Sequence, residues 1–168
     1  MPKPIRLPRA SEQQVLNELT PRLIRPEETA LCKELIRQRH YLKNAGLAGE
    51  QLCYVAEHQG QWLAILWWPA PALHLKKRGQ WIGWSCPQKR ERLAFPAQNS
   101  RFLILADRQQ LPNPATRVPA LSCQRLWEDW LARHGHPIVA VESFVDGQLF
   151  RGTAYKAAGW TLPGQTAG

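Results

Sequence analysis

The sequence predicts an α/β fold: a single-domain mixed sheet flanked by helices. Three observations lead there. Helical and strand patterns alternate along the chain, with two helices, a hairpin, then strand, helix, strand and a short last helix. The length, 168 residues with 44% hydrophobic content, suits one core-forming domain. No internal repeat and no linker-like segment divides it. Residues 1–10 carry three prolines and three basic residues and are expected to form a loose basic arm; residues 11–168 form the domain.

Ser11 reads as a helix N-cap with Gln14 at the capping-box position, and that helix should stop before Thr20-Pro21. Arg25-Pro26-Glu27-Glu28 opens a second helix, with proline in the first turn and acids at the positive end of the dipole. Leu31, Leu35 and Ile36 mark its buried stripe, and it runs into His40-Tyr41-Leu42. Gly46 and Gly49 end it. Two strands, 51–58 and 61–68, flank the turn at Gln59-Gly60. The first alternates enough to leave one face partly wet; the second, apolar on both faces, reads as central.

Beyond Pro71 the chain becomes basic. Lys76, Lys77 and Arg78 precede Trp81-Ile82-Gly83-Trp84, and Lys89, Arg90 and Arg92 follow. Two readings stand side by side. Cations tracking phosphates beside an exposed Trp81 would make a nucleic-acid surface. Alternatively, the segment holding Trp81 and Trp84 is an ordinary strand with both indoles in the core. Residues 101–105 form the next strand. Asn113-Pro114 starts a helix that settles beyond Pro119 and buries Leu121, Leu126, Trp130 and Leu131. Residues 138–144 form another strand, and a short helix at 153–158 stops at Gly159.

The formal charge of +9 points to a polyanionic partner, with DNA first in line. Cys32, Cys53, Cys86 and Cys123 form no Cys-x-x-Cys pair, so no metal site is expected and reduced thiols of a cytoplasmic protein fit them. Neither a signal peptide nor a membrane span is visible.

Several blocks carry a resemblance. In order they are His40-Tyr41-Leu42, Gly49-Glu50-Gln51-Leu52 with Tyr54, Trp81-Ile82-Gly83-Trp84 and Asn99-Ser100-Arg101-Phe102-Leu103-Ile104-Leu105. Then come Glu142-Ser143-Phe144-Val145-Asp146, Phe150-Arg151-Gly152-Thr153-Ala154-Tyr155 and Gly164-Gln165-Thr166-Ala167-Gly168. This order resembles the DruA-like family of anti-phage Druantia and transposase-associated proteins. The resemblance implies an accessory role in phage defence or a mobile element, with other proteins of such systems as partners.

More broadly, the element order and Tyr155-Lys156-Ala157-Ala158-Gly159-Trp160 resemble the Gcn5-related N-acetyltransferase fold. That resemblance implies Tyr155 as general acid toward a departing thiolate, in an acyltransferase acting on a nucleic acid, amine or protein. Such enzymes hold the coenzyme A pyrophosphate on a glycine-rich loop. Here residues 107–117 contain no glycine and two prolines, so the sequence specifies no cofactor.

Glu142, Tyr155 and His40 are the candidate catalytic groups. Glu142 interrupts an apolar strand and needs a partner, with Arg101 of the neighbouring strand expected; the pair would either fix strand register or anchor a ligand. His40 either caps its helix or shuttles protons near neutral pH. Tyr155 serves either core packing or catalysis. Arg101, Arg117 and Arg151 are candidate anion-binding residues.

Overall fold

A computed structural model of the chain describes residues 11–43, 46–107, 111 and 113–166. The expected basic arm lies outside them, as do residues 108–110 and 112 of the glycine-free stretch and the final Ala167-Gly168.

Helix α1 spans Glu12–Glu18, and the Ser11 hydroxyl accepts the Gln14 N–H at 3.2 Å. The Gln14 side chain turns instead to Glu18, so only half of the expected capping box forms. A strand that the sequence did not announce, β1 (Thr20–Leu23), follows. Its Pro21 is tolerated because β1 is an edge strand, paired on one side only. A 3-10 turn (Pro26–Glu28) leads into α2 (Thr29–Arg39). The buried stripe of α2 is Cys32 and Ile36, with Leu35 beside them, whereas Leu31 is 54% exposed.

Strands β2 (Gln51–His58) and β3 (Gln61–Pro69) form the expected hairpin. Both turn residues, Gln59 and Gly60, have positive φ, as a tight two-residue hairpin turn demands. The face of β2 expected to be partly wet is buried. Leu52, Tyr54 and Ala56 join the core beneath α1 and a later helix, α5 (Pro114–His134), while Cys53 and Val55 meet Cys32 and Ile36 of α2. Helices on both sheet faces remove the reason for alternation.

Between 76 and 91 the structure decides against one of the two readings. The segment is not a strand but a helical hairpin, α3 (Lys76–Ile82) and α4 (Cys86–Glu91). Gly83 takes φ 79° and ends α3 in the left-handed conformation. Ser85 and Gln88 then form a reciprocal capping box that starts α4.

Strands β4 (Pro96–Asn99) and β5 (Arg101–Ile104) are separated by Ser100 alone. They serve different partners. β5 pairs antiparallel with β3, completing a four-stranded sheet in the order β1-β2-β3-β5. β4 pairs in parallel with β6 (Ala140–Ser143), reached by way of α5. The pairing is thus mixed, as expected, but divided between two sheets and not held in one. Pro119 sits within α5, where it forgoes one backbone bond near the helix start. Two buried polar bonds hold α5 on the sheet: Trp68 Nε1 to Ser122 Oγ at 3.0 Å, and Tyr54 Oη to Asp129 at 2.8 Å. The last element, α6 (Thr153–Ala157), lies between Gly152 and Gly159, both at positive φ.

Candidate functional site

The break at Ser100 opens the fold. Because β4 leaves with β6 while β5 stays with β3, the two sheets part at that point. A cleft of about 610 Å³ lies there. Its floor is Asn99, Ser100 and Ser143; its walls come from His40-Tyr41, residues 102–104, residues 144–145 and 149–152, and α6.

Asn99 is the organising residue of the floor, only 3% exposed. Its Oδ1 accepts the Tyr155 hydroxyl at 2.7 Å, and its backbone carbonyl accepts the Ser143 hydroxyl at 3.0 Å. Its Nδ2 and the buried Ser100 Oγ have no partner among the described residues. Burial pushes the Tyr155 phenol above its ordinary range, against the Ser143 hydroxyl acting the other way. Tyr155 therefore stays protonated and donates.

His40 caps α2 and is 5% exposed. Its Nδ1 accepts the Leu42 N–H at 3.2 Å, so the neutral ring carries its proton on Nε2. Burial, and then the charge of Arg101, bring its pKa down to about 4. The imidazole is neutral throughout the physiological range. Tyr41 packs on His40 with ring centres 4.6 Å apart and meets the edge of Phe150 at 5.5 Å. Burial, then the charge of Asp146, raises the Tyr41 phenol.

Glu142 does not join this group. Side chains alternate along β6, so Ser143 faces the cleft floor and Glu142 the opposite side. Its partner is Arg78 of α3, at 2.9 and 3.0 Å, and not Arg101 as the neighbouring-strand argument expects. Arg101 donates to the carbonyl of Ser100, the residue before its strand, at 2.8 Å. Arg78 also donates to the Ala72 carbonyl at 2.9 Å and is 9% exposed, so it is withdrawn from the basic surface to which its sequence neighbours assign it.

Of the expected anion-binding residues, Arg151 lines the cleft and is exposed, joined there by Arg39. Arg117 is exposed on the first turn of α5, outside the cleft wall.

The rest of the basic segment forms a separate surface. Lys76, Lys77, Arg90 and Arg92 are exposed on or beside α3 and α4, and Trp81 is 60% exposed. Lys89 lies across Gly79 so closely that a Cβ there would stand 2.3 Å from its Cε. Both residues line a depression of about 340 Å³, together with Trp84 and Arg90. The strand that would have put both indoles in the core does not form.

Sequence reasoning passed over Asn99, Ser100 and Ser143 as site residues. The available signal was an Asn-Ser pair set between two short extended runs, where strand formers should have continued.

Among the described residues, no group of three or more His, Cys, Asp or Glu side chains could hold a metal ion. Cys32 and Cys53 lie side by side in the core with their sulfurs 3.5 Å apart. No described helix is long and apolar enough to cross a membrane.

No curated protein and no solved structure matches this chain. The family model described as Druantia protein DruA, however, matches residues 6–168. That match takes in both the cleft and the basic hairpin, and by it the chain belongs to the DruA family.

Proposed function

We propose that this DruA family member is a component of an anti-phage defence system that engages DNA through the α3–α4 hairpin, alongside other proteins of the same system or of a mobile element. The observation that carries the DNA reading is the exposed Trp81 among Lys76, Lys77, Lys89, Arg90 and Arg92. Ammonium and guanidinium groups displace counterions from a phosphate backbone, and an exposed indole stacks on a base of any identity. The contacts this reading invokes are to phosphates and to a base face, so the binding proposed is tolerant of sequence.

The test is fluorescence anisotropy with single- and double-stranded DNA over a salt series. The triple variant Lys76→Ala, Lys77→Ala, Arg92→Ala should weaken binding uniformly across sequences. It should also flatten the log–log salt dependence by roughly 0.7–0.9 for each phosphate no longer neutralised. Affinity unchanged in that variant would sink the proposal. Trp81→Ala should weaken single-strand binding further, by about 1–3 kcal/mol if the indole stacks.

One arrangement favours an acyltransferase-like reading. Tyr155, the general acid that the acetyltransferase resemblance implies, stands in the cleft beside the parallel β4–β6 pair. Against it stand the glycine-free residues 107–117 and a Tyr155 proton already given to Asn99. Thermal stabilisation by acetyl-coenzyme A, with no DNA affinity, would reverse the order of the two readings.

A further inference from the structure

We infer that the cleft at the β4–β5 break seats one nucleotide unit, its base among the Tyr41 and Phe150 rings and its edge hydrogen-bonded by Asn99. This goes beyond the hairpin reading and stands on different residues.

The floor states the ligand's polarity. The Asn99 amide has its oxygen engaged by Tyr155, which turns its Nδ2 donor away from that bond with no acceptor among the described residues. A donor so deeply buried is costly to leave unpaired, and an acceptor brought by a ligand removes that cost. The Ser100 hydroxyl, likewise unpartnered on a residue lining the cleft, can donate or accept. A base edge that presents a carbonyl next to a ring nitrogen suits such a pair.

The walls set the ligand's shape and charge. Phe150 is 51% exposed and Tyr41 40%, an arrangement that leaves aromatic faces and edges open at the mouth of a recess. Phe144 lines it as well. Flat π-systems are what such rings hold. Arg39 and Arg151 line the cleft, whereas Asp146, whose charge acts on Tyr41, is not among its lining residues. His40 adds no charge of its own at neutral pH. The lining therefore combines aromatic surface, orphan donors and net positive charge. A phosphate-bearing base meets all three requirements, whereas an inorganic anion uses only the last. The volume lies within the range of small-molecule sites.

A nucleotide can come from solution or from a strand that delivers it unstacked, and the experiment separates the two. Isothermal titration of the full chain uses thymidine 5′-monophosphate, deoxyribose 5-phosphate and inorganic phosphate. In parallel, a single-stranded oligonucleotide carrying 2-aminopurine reports unstacking as a rise in fluorescence. Phe150→Ala and Arg151→Ala are both at exposed positions, so they remove ligand contacts without opening the core.

The expected result is nucleotide binding about tenfold or more tighter than deoxyribose phosphate, weakened about tenfold by Phe150→Ala. A fluorescence rise that Phe150→Ala abolishes, even with no binding of the free nucleotide, supports the same site and names the strand as the source. Equal binding of nucleotide and deoxyribose phosphate would overturn the inference, as would silence in both arms. The Lys76→Ala, Lys77→Ala, Arg92→Ala variant tells the two proposals apart: it should lose oligonucleotide affinity yet keep its affinity for the mononucleotide.

Discussion

The α3–α4 hairpin and the cleft both draw on the family's sequence blocks, yet they are built on opposite principles. The hairpin places charge where water already solvates it: Lys76, Lys77, Arg90 and Arg92 stand on the surface, and the indole of Trp81 is open. Such a surface attracts any polyanion and discriminates little. The cleft hides its polar groups. Asn99 and His40 are almost wholly buried, and their hydrogen bonds fix both orientation and protonation. Recessed groups cost energy to leave unpaired, which is what lets them reject a wrong ligand. A surface for affinity and a recess for selection can therefore coexist in one small protein.

Arg78 is the place to break that contrast, because it lies in the hairpin's sequence but serves the wall behind the cleft. Arg78→Ala leaves the largely buried Glu142 unpaired, and should destabilise the fold by about 3–5 kcal/mol in urea unfolding. The double variant Arg78→Leu, Glu142→Leu should lose much less. A loss below about 1 kcal/mol in the single variant would mean that Arg78 belongs with the surface cations after all.

Acid sharpens the contrast. Above pH 6.5 His40 is neutral whether the chain is folded or unfolded. Between there and about pH 4 the unfolded chain binds a proton that the folded one refuses. Stability should therefore fall as pH falls through this window, by up to about 3 kcal/mol. His40→Gln should flatten that part of the pH profile, read by denaturant unfolding at pH 7 and 4.5; an unchanged profile would place the histidine in water. The smallest effect concerns Tyr155→Phe, which strands the Asn99 oxygen and should cost about 1–3 kcal/mol in the same assay. No loss at all would mean that the floor is looser than its geometry suggests.

The local parts of the fold were legible. Ser11, Pro26, Asn113 and Gly159 mark helix boundaries through their own backbone chemistry, and Gln59-Gly60 marks the hairpin turn. What escaped was imposed from a distance. Pro96-Ala97-Gln98-Asn99 has little strand propensity and is extended because β6 pairs with it. Trp81-Ile82-Gly83-Trp84 has strand-forming composition, but Gly83 and the Ser85–Gln88 box terminate and restart helices around it. Those two signals were present in the sequence, and the strand reading that the tryptophans suggested stood level with the surface reading. The site divided in the same way. The sequence blocks held His40, Tyr155 and Arg151, which do converge. The Arg78–Glu142 pair joins residues 64 apart in the chain, and no local pattern announces it.

The one-residue break at Ser100 also separates what must stay constant from what is free to vary. The floor is flanked by paired strand, β4 with β6 and β5 with β3, whereas residues 144–151 are exposed and lie outside any helix or strand. Substitutions or insertions in that wall leave every backbone pairing untouched. On the proposed reading, what the recess accepts can change one wall residue at a time while the strand pairing that folds the chain is kept.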